Sequence, residues 1–396
     1  MLEQALSDVR VLDLTWHIAG PYCTKLLAGL GAEVVKIERP GGGDPARRTG
    51  PFIKDEPHPE MSGLFHHLNT GKKSITLNLK TASGVKLFRE LVKDADILAE
   101  NFRPGVMASF ELGYETLEKL NPKLVMTSIS NFGSSGPYRD YKMTEIVADA
   151  MGGLTYVSGE PDRQPLKQAG SQAQYQAGLN TFVATMAALY YADETGIGQH
   201  VESSIMETMN SIVQYPVIAY LYQETIETRR GNVGMIHPWG IYFCKDGYIG
   251  IAATSPLWQH LVDLIDTPEM RDEKISTMLG RILDRDAVDA AMYPWLMDHT
   301  REEIYHAGQK KGIPISLVRT PEDLLNAPQY WARGFWVEVD HPEMGRLTCP
   351  GAPGLMSETP WQTRRAPLLG EHNEEVYSKL GYTKDDLVKL REEGVI

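Results

Sequence analysis

The sequence predicts an α/β protein built on a parallel sheet, and two observations carry that prediction. Over the first 130 residues short apolar runs alternate with longer amphipathic ones, the pattern of strands joined by crossover helices. The chain has 396 residues, 42% of them hydrophobic and 23% charged. That is enough to bury a large core and to divide into two or three domains.

The elements follow in order. RVLDLTW (10–16) predicts the first strand, and GPYCTKLLAGLG (20–31) a helix with Leu26, Leu27 and Leu30 on one face. EVVKIE (33–38) is the second strand, SGVKLFRELVKDA (83–95) a helix and DILAEN (96–101) a strand. YETLEKLN (114–121) reads as a helix and LVMTSIS (124–130) as the next strand. Residues 177–192 suit a buried helix ended by DETGIGQ, and 201–223 a largely helical segment. RRGNVGMIHPWGIYFCKDGYIGIAAT then predicts a Gly-rich loop and a hairpin turned at Lys245-Asp246-Gly247. A smaller domain is expected between about Asn232 and Pro328, with helices over 257–265 and 301–312. The tail is turn-rich and ends in a helix over 384–394. No internal repeat or low-complexity tract interrupts this order.

Charge and composition exclude several classes of function. A net charge of −13 offers no basic excess for a nucleic-acid backbone. Three separated cysteines, Cys23, Cys244 and Cys349, predict neither a disulfide framework nor a zinc site. His66 and His67 are adjacent and do not readily converge on one metal, so no metal is expected. The N-terminal segment has no apolar signal region, and the apolar run TFVATMAALYYA is shorter than the ~20 residues of a membrane span. A cytoplasmic protein without membrane contact is expected.

Familiar nucleotide and hydrolase motifs are missing. The first turn carries TWHIAGPYC where a dinucleotide fold has G-x-G-x-x-G, although Glu38 ends the second strand where a ribose-binding acid would sit. An NAD(P)-linked oxidoreductase is therefore a remote alternative. HHLNTGKKS lacks the upstream Gly of a phosphate loop, and GSSGP is not a nucleophile elbow. His17, Ile18 and Ala19 follow the first strand and Asn101 and Phe102 follow a later one, at the strand ends where α/β sheets bind ligands.

Several stretches together resemble the family III CoA-transferases, the CaiB/BaiF family. They include VLDLTWHIAGPYCTKLLAGLGAEVVKIERPGGGDPAR, NTGKKSITLNLKTASG, ENFRPGVM, SGPYRDY, ETGIGQHVESSIMETM and APLLGEHNEEVYSKLGY, in the family's order along nearly the whole chain. The resemblance implies a Rossmann-like large domain whose parallel sheet is built from both chain ends (1–225 and 329–396). It also implies a smaller inserted α+β domain (226–328) and an interlocked dimer. Coenzyme A and its thioesters enter as substrates, with no permanently bound cofactor.

The family's motifs place ligand-contacting cations at Arg39 and Lys142, with Arg103 and Lys72 as secondary candidates beside His17, Ile18, Ala19, Asn101 and Phe102. Two departures stand out. Ser109 replaces an Arg common in the family's NFRPGVMERLG, and Gln174 occupies the place of the nucleophilic acid in GD-x-x-x-G. No slip of register restores that acid, because residues 163–192 contain no Asp or Glu. An amide has no anionic oxygen with which to form an acyl anhydride.

The expected function is therefore the non-catalytic subunit of a hetero-oligomeric CoA-transferase, such as the succinyl-CoA:benzylsuccinate type. Its partner would be a homologous subunit that carries the aspartate, and the chain is expected to be inactive alone. The alternative is a homodimeric transferase or acyl-CoA racemase using another carboxylate such as Glu145, with Asp149 one helical turn beyond it.

Overall fold

The computed structural model describes residues 4–232, 234 and 236–396, with Gln214 as backbone only. Two compact units emerge. One runs up to Leu154 and continues through Lys167–Ile218 and Gln329–Ile396; the other comprises Thr155–Leu166 and Ala219–Pro328.

The first unit holds β1 (Arg10–Asp13), α1 (Ala19–Gly29), β2 (Glu33–Glu38), α2 (Gly63–Asn69) and β3 (Lys73–Thr76). It continues with α3 (Ala82–Val92), β4 (Ile97–Glu100), β5 (Val125–Ser130) and β6 (His200–Ser204). All six strands are parallel, in the order β3-β2-β1-β4-β5-β6. This is the doubly wound Rossmann order, and it reverses direction between β1 and β4. Parallel strands covered on both faces read as continuous apolar runs, and Ile97, Leu98, Val125 and Met126 are accordingly almost wholly buried.

The sequence did not signal β3 and β6. β3 is KSIT and β6 is HVESS, too polar to register as buried strands, and the helical reading of 201–223 is corrected at 201–204, which form β6.

The expectation that both chain ends build the sheet is corrected. Every strand of this sheet lies within residues 10–204, and the later segment contributes helices and a separate hairpin instead. The reason lies at the edge of β3, where an added strand would have to pair. Thr76 N–H donates to Asn373 Oδ1 at 2.8 Å, His372 N–H donates to the Ser74 carbonyl at 2.9 Å, and Tyr377 Oη donates to the Thr76 carbonyl at 2.7 Å. With its groups satisfied this way, the edge has nothing to offer another strand. The helices Asn373–Lys379 and Lys384–Glu392 bring Val376, Tyr377 and Leu387 into the main core, joined by Val395 and Ile396.

The second unit is organised on β7 (Trp239–Cys244), β8 (Gly247–Ala252) and β9 (Ile315–Leu317), an antiparallel sheet in that order. The hairpin turns where expected, pairing Cys244 with Gly247. Its apolar face packs Ile249 and Ile251 against Leu261, Met292, Leu296 and Ile304 of three helices. The turn-rich tail of the first unit contains one more hairpin, β10 (Trp336–His341) with β11 (Gly345–Pro350). Among the described residues no helix is long and apolar enough to cross a membrane.

Candidate active site

Beyond Asp13 the chain must leave the sheet, and polar side chains fix how it does so. Thr15 donates to Asp13 Oδ1 from both its N–H, at 2.9 Å, and its hydroxyl, at 2.5 Å. Trp16 N–H donates to Asn101 Oδ1 at 2.8 Å, and Asn101 Nδ2 donates back to the Trp16 carbonyl at 2.8 Å. This reciprocal pair ties the loop after β1 to the loop after β4. His17 then adopts a left-handed φ of 63°, held by its N–H on Asp44 Oδ1 at 3.1 Å. A non-glycine residue in that region is strained and needs such support.

The ties hold open a crevice of about 1040 Å³ at the carboxyl ends of β1, β4 and β5. In an open α/β sheet this is where a ligand binds, at the point where strand order reverses. His17, Ile18, Ala19, Asn101, Phe102, Arg103, Lys142, Glu145 and Gln174 all line it. Ser109, in place of the family's arginine, lines it too. Sequence reasoning missed Arg139, also on the wall, although it lies inside the SGPYRDY motif. The side chains of Arg103, Arg139 and Lys142 make no ion pair or hydrogen bond among the described residues. In a chain of net charge −13, three uncommitted cations lining one crevice, beside the acids Asp140 and Glu145, suit an anionic ligand such as a phosphate.

Two expected residues stand elsewhere. Arg39 is exposed and off the lining, its guanidinium 4.4 Å above the Trp16 ring. Trp16 in turn meets Phe102 edge-on at 5.4 Å, so Arg39 touches the crevice only through an aromatic relay. Lys72 is buried beneath α1. Its Nζ is committed to Asp13 Oδ2 at 2.9 Å, Thr24 Oγ1 at 2.8 Å, Asn69 Oδ1 at 2.9 Å and the Pro21 carbonyl at 2.9 Å. With three side-chain acceptors and a carbonyl already on it, the ammonium has no reach to a ligand.

Gln174 lies in the first turn of the helix Gln172–Thr195, half-buried and facing the crevice. The N-cap residue Ser171 gives that helix no side-chain cap. Glu145, from the helix Glu145–Met151, supplies one instead: its Oε1 accepts the Ala173 N–H at 2.6 Å. A carboxylate at a helix N-terminus satisfies a free N–H and faces the positive end of the helix dipole. Burial pushes the Glu145 carboxyl above its usual range, and the charge of Asp149 adds to this against the Ala173 hydrogen bond. Its Oε2 is buried without a hydrogen-bond partner. Asp149 is buried as well, and burial pushes its carboxyl up against the pull of Lys167.

The model of CoA-transferase family III matches residues 6–373. The chain is similar to the succinyl-CoA:mesaconate CoA-transferase of Haloarcula marismortui, at 34% identity over 95% of this chain and 96% of that one. It is similar to the beta subunit of the succinyl-CoA–L-malate CoA-transferase of Chloroflexus aurantiacus, at 32% identity over 99% and 98%. A CaiB/BaiF family protein from Brucella suis superposes with a TM-score of 0.87 at 31% identity, covering 95% of this chain and 99% of that one. The doubly wound sheet, the crevice at its switch point and a match along nearly the whole length agree: the chain belongs to CoA-transferase family III.

Proposed function

We propose that this chain is a subunit of a CoA-transferase that moves coenzyme A from an acyl-CoA to a carboxylic acid, and that the covalent step belongs to a homologous subunit bearing an aspartate. The observation that carries this reading is Gln174, an amide in the crevice at the position where the family motif has its acid. In the transferase cycle a carboxylate attacks the thioester carbonyl and expels the CoA thiolate, leaving a mixed anhydride. The thiolate returns to that anhydride, releasing the donor acid and leaving CoA in thioester linkage to the enzyme. The acceptor carboxylate then repeats the exchange in reverse and regenerates the enzyme carboxylate. An amide nitrogen is neither the nucleophile nor the leaving group this cycle needs.

The chain's own residues have parts to play in this scheme. Arg103, Arg139 and Lys142 hold the phosphates of coenzyme A, Phe102 and Ile18 offer apolar contact, and the Gln174 amide hydrogen-bonds the acyl portion. A succinyl donor is favoured because relatives at 34% and 33% identity are named for succinyl-CoA. Assembly with the partner, in an interlocked pair, is supported by the helix Gln172–Thr195. Leu179, Val183 and Tyr190 stand exposed along it at helical spacing, Tyr190 with 69% of its surface free. Apolar stripes of this kind mark association surfaces.

Purified alone, the chain should not transfer CoA from succinyl-CoA to any small carboxylate; co-expression with an aspartate-bearing homologue should restore transfer and give a mixed assembly by native mass spectrometry. Turnover by the lone chain would overturn the reading. One observation favours a second reading, a self-sufficient enzyme: the buried, partnerless Oε2 of Glu145. It requires that hydroxylamine with an acyl-CoA convert Glu145 to a hydroxamate.

A further inference from the structure

The first unit contains a second cavity, of about 230 Å³, which shares no lining residue with the crevice. Its polar side is formed by Lys25 of α1 with His66 and His67 of α2, and its apolar side includes Ile53 and Leu347. Cys349 of β11 completes it.

Lys25 is only 6% exposed and has no hydrogen bond or ion pair among the described residues. Among the described residues every other buried Lys or Arg is matched. Lys36 lies 2.9 Å from Asp44, Arg47 2.8 Å from Glu38 and Lys72 2.9 Å from Asp13, while Arg281 donates to the carbonyls of His237, Ile275 and Ser276. A buried ammonium without an anion is costly, which is why such groups are nearly always paired.

The neighbours do not supply that anion. Burial pushes the Cys349 thiol up, so it stays protonated beside Lys25. Burial holds His66 at about 4 and His67 at about 3, aided by His341 and then Lys25 at the first and by Lys25 at the second, so both rings are neutral. A neutral imidazole still offers one N–H. The His66 Nδ1 lies 3.9 Å from Cys349 Sγ, and its Nε2 is buried with no partner. Among the described residues no group of three metal-ligating side chains forms here or elsewhere.

We propose that this cavity binds a small carboxylate, its anionic end on Lys25 and the free His66 nitrogen and its hydrocarbon end against Ile53 and Leu347. At about 230 Å³ the cavity is below the roughly 300–1,000 Å³ of pockets for larger ligands, so a CoA thioester does not fit. A spherical inorganic oxoanion leaves the apolar wall unused, whereas a short-chain acid meets both sides. His67 meets Tyr175 edge-on at 6.2 Å, and Tyr175 adjoins Gln174.

Calorimetric titration of the full chain with propionate tests this. Saturable binding is expected, weakened at least tenfold in Lys25→Met and unchanged in Arg139→Ala, which alters only the crevice. In the unsubstituted chain propionate should also slow iodoacetamide alkylation of Cys349, read by peptide mass spectrometry, while Cys23 and Cys244 are unaffected. Undiminished binding in Lys25→Met, sulfate binding as tightly as propionate, or no protection of Cys349 would each overturn the proposal.

Discussion

Asp13 lies wholly buried at the end of β1, between two lysines. Burial alone would raise its carboxyl, but Lys72 and Lys36 prevail and lower it from 3.8 to about 2. Glu38 follows the same logic: burial opposes ionisation, and the Arg47 guanidinium, 2.8 Å away, overcomes it. Both acids are therefore lower in the folded chain than in the unfolded one. Their contribution is complete only above the unfolded values of 3.8 and 4.5, and is lost on acidification, for Asp13 as pH falls toward about 2. Acid titration followed by circular dichroism should show this loss, with a shallower slope in Asp13→Asn. At neutral pH that substitution should cost roughly 3–5 kcal/mol in urea unfolding, because it strands a buried ammonium. Glu145→Ala removes a helix cap and should cost roughly 0.5–2 kcal/mol, with Glu145→Gln recovering part of it.

At the scale of elements, the close approach of α1 to the helix Gln172–Thr195 rests on Gly178. A Cβ there would lie 2.5 Å from the Ala19 carbonyl oxygen. Gly178→Ala should therefore push the two helices apart at the crevice, destabilising by roughly 1–3 kcal/mol in urea unfolding. Helices and apolar strands of this kind were legible in the sequence because their periodicity is local. β3 and β6 were not, since their polar residues meet partners far along the chain, as Thr76 meets Asn373. The same distance hid the fate of Lys72, whose carboxylate lies 59 positions away. His17 to Ala19 and Asn101 to Arg103 could be placed at the crevice because strand ends follow from alternation alone. Arg139 and the capping role of Glu145 could not, because they depend on how residues 131–144 fold back over the sheet.

For the whole molecule, a net charge of −13 disfavours a polyanion overall, yet Arg103, Arg139 and Lys142 all line the one crevice. Binding of coenzyme A should weaken as salt rises from 0.05 to about 0.5 M, as expected for partly exposed ion pairs. Arg139→Ala should weaken it about tenfold by calorimetry, with a reduced salt dependence.

The satisfied edge of β3 also has a consequence for how the chain is made. All six strands leave the ribosome well before the segment 372–377 that covers that edge, and the larger part of the second unit, Ala219–Pro328, is translated between them. During that interval the nascent sheet presents an open strand edge and an apolar surface awaiting Val376, Tyr377 and Leu387. Such surfaces invite misassociation. Vectorial synthesis therefore leaves the first unit incomplete while the unit inserted within it can already close, and chaperone dependence should fall on the first unit rather than on the second.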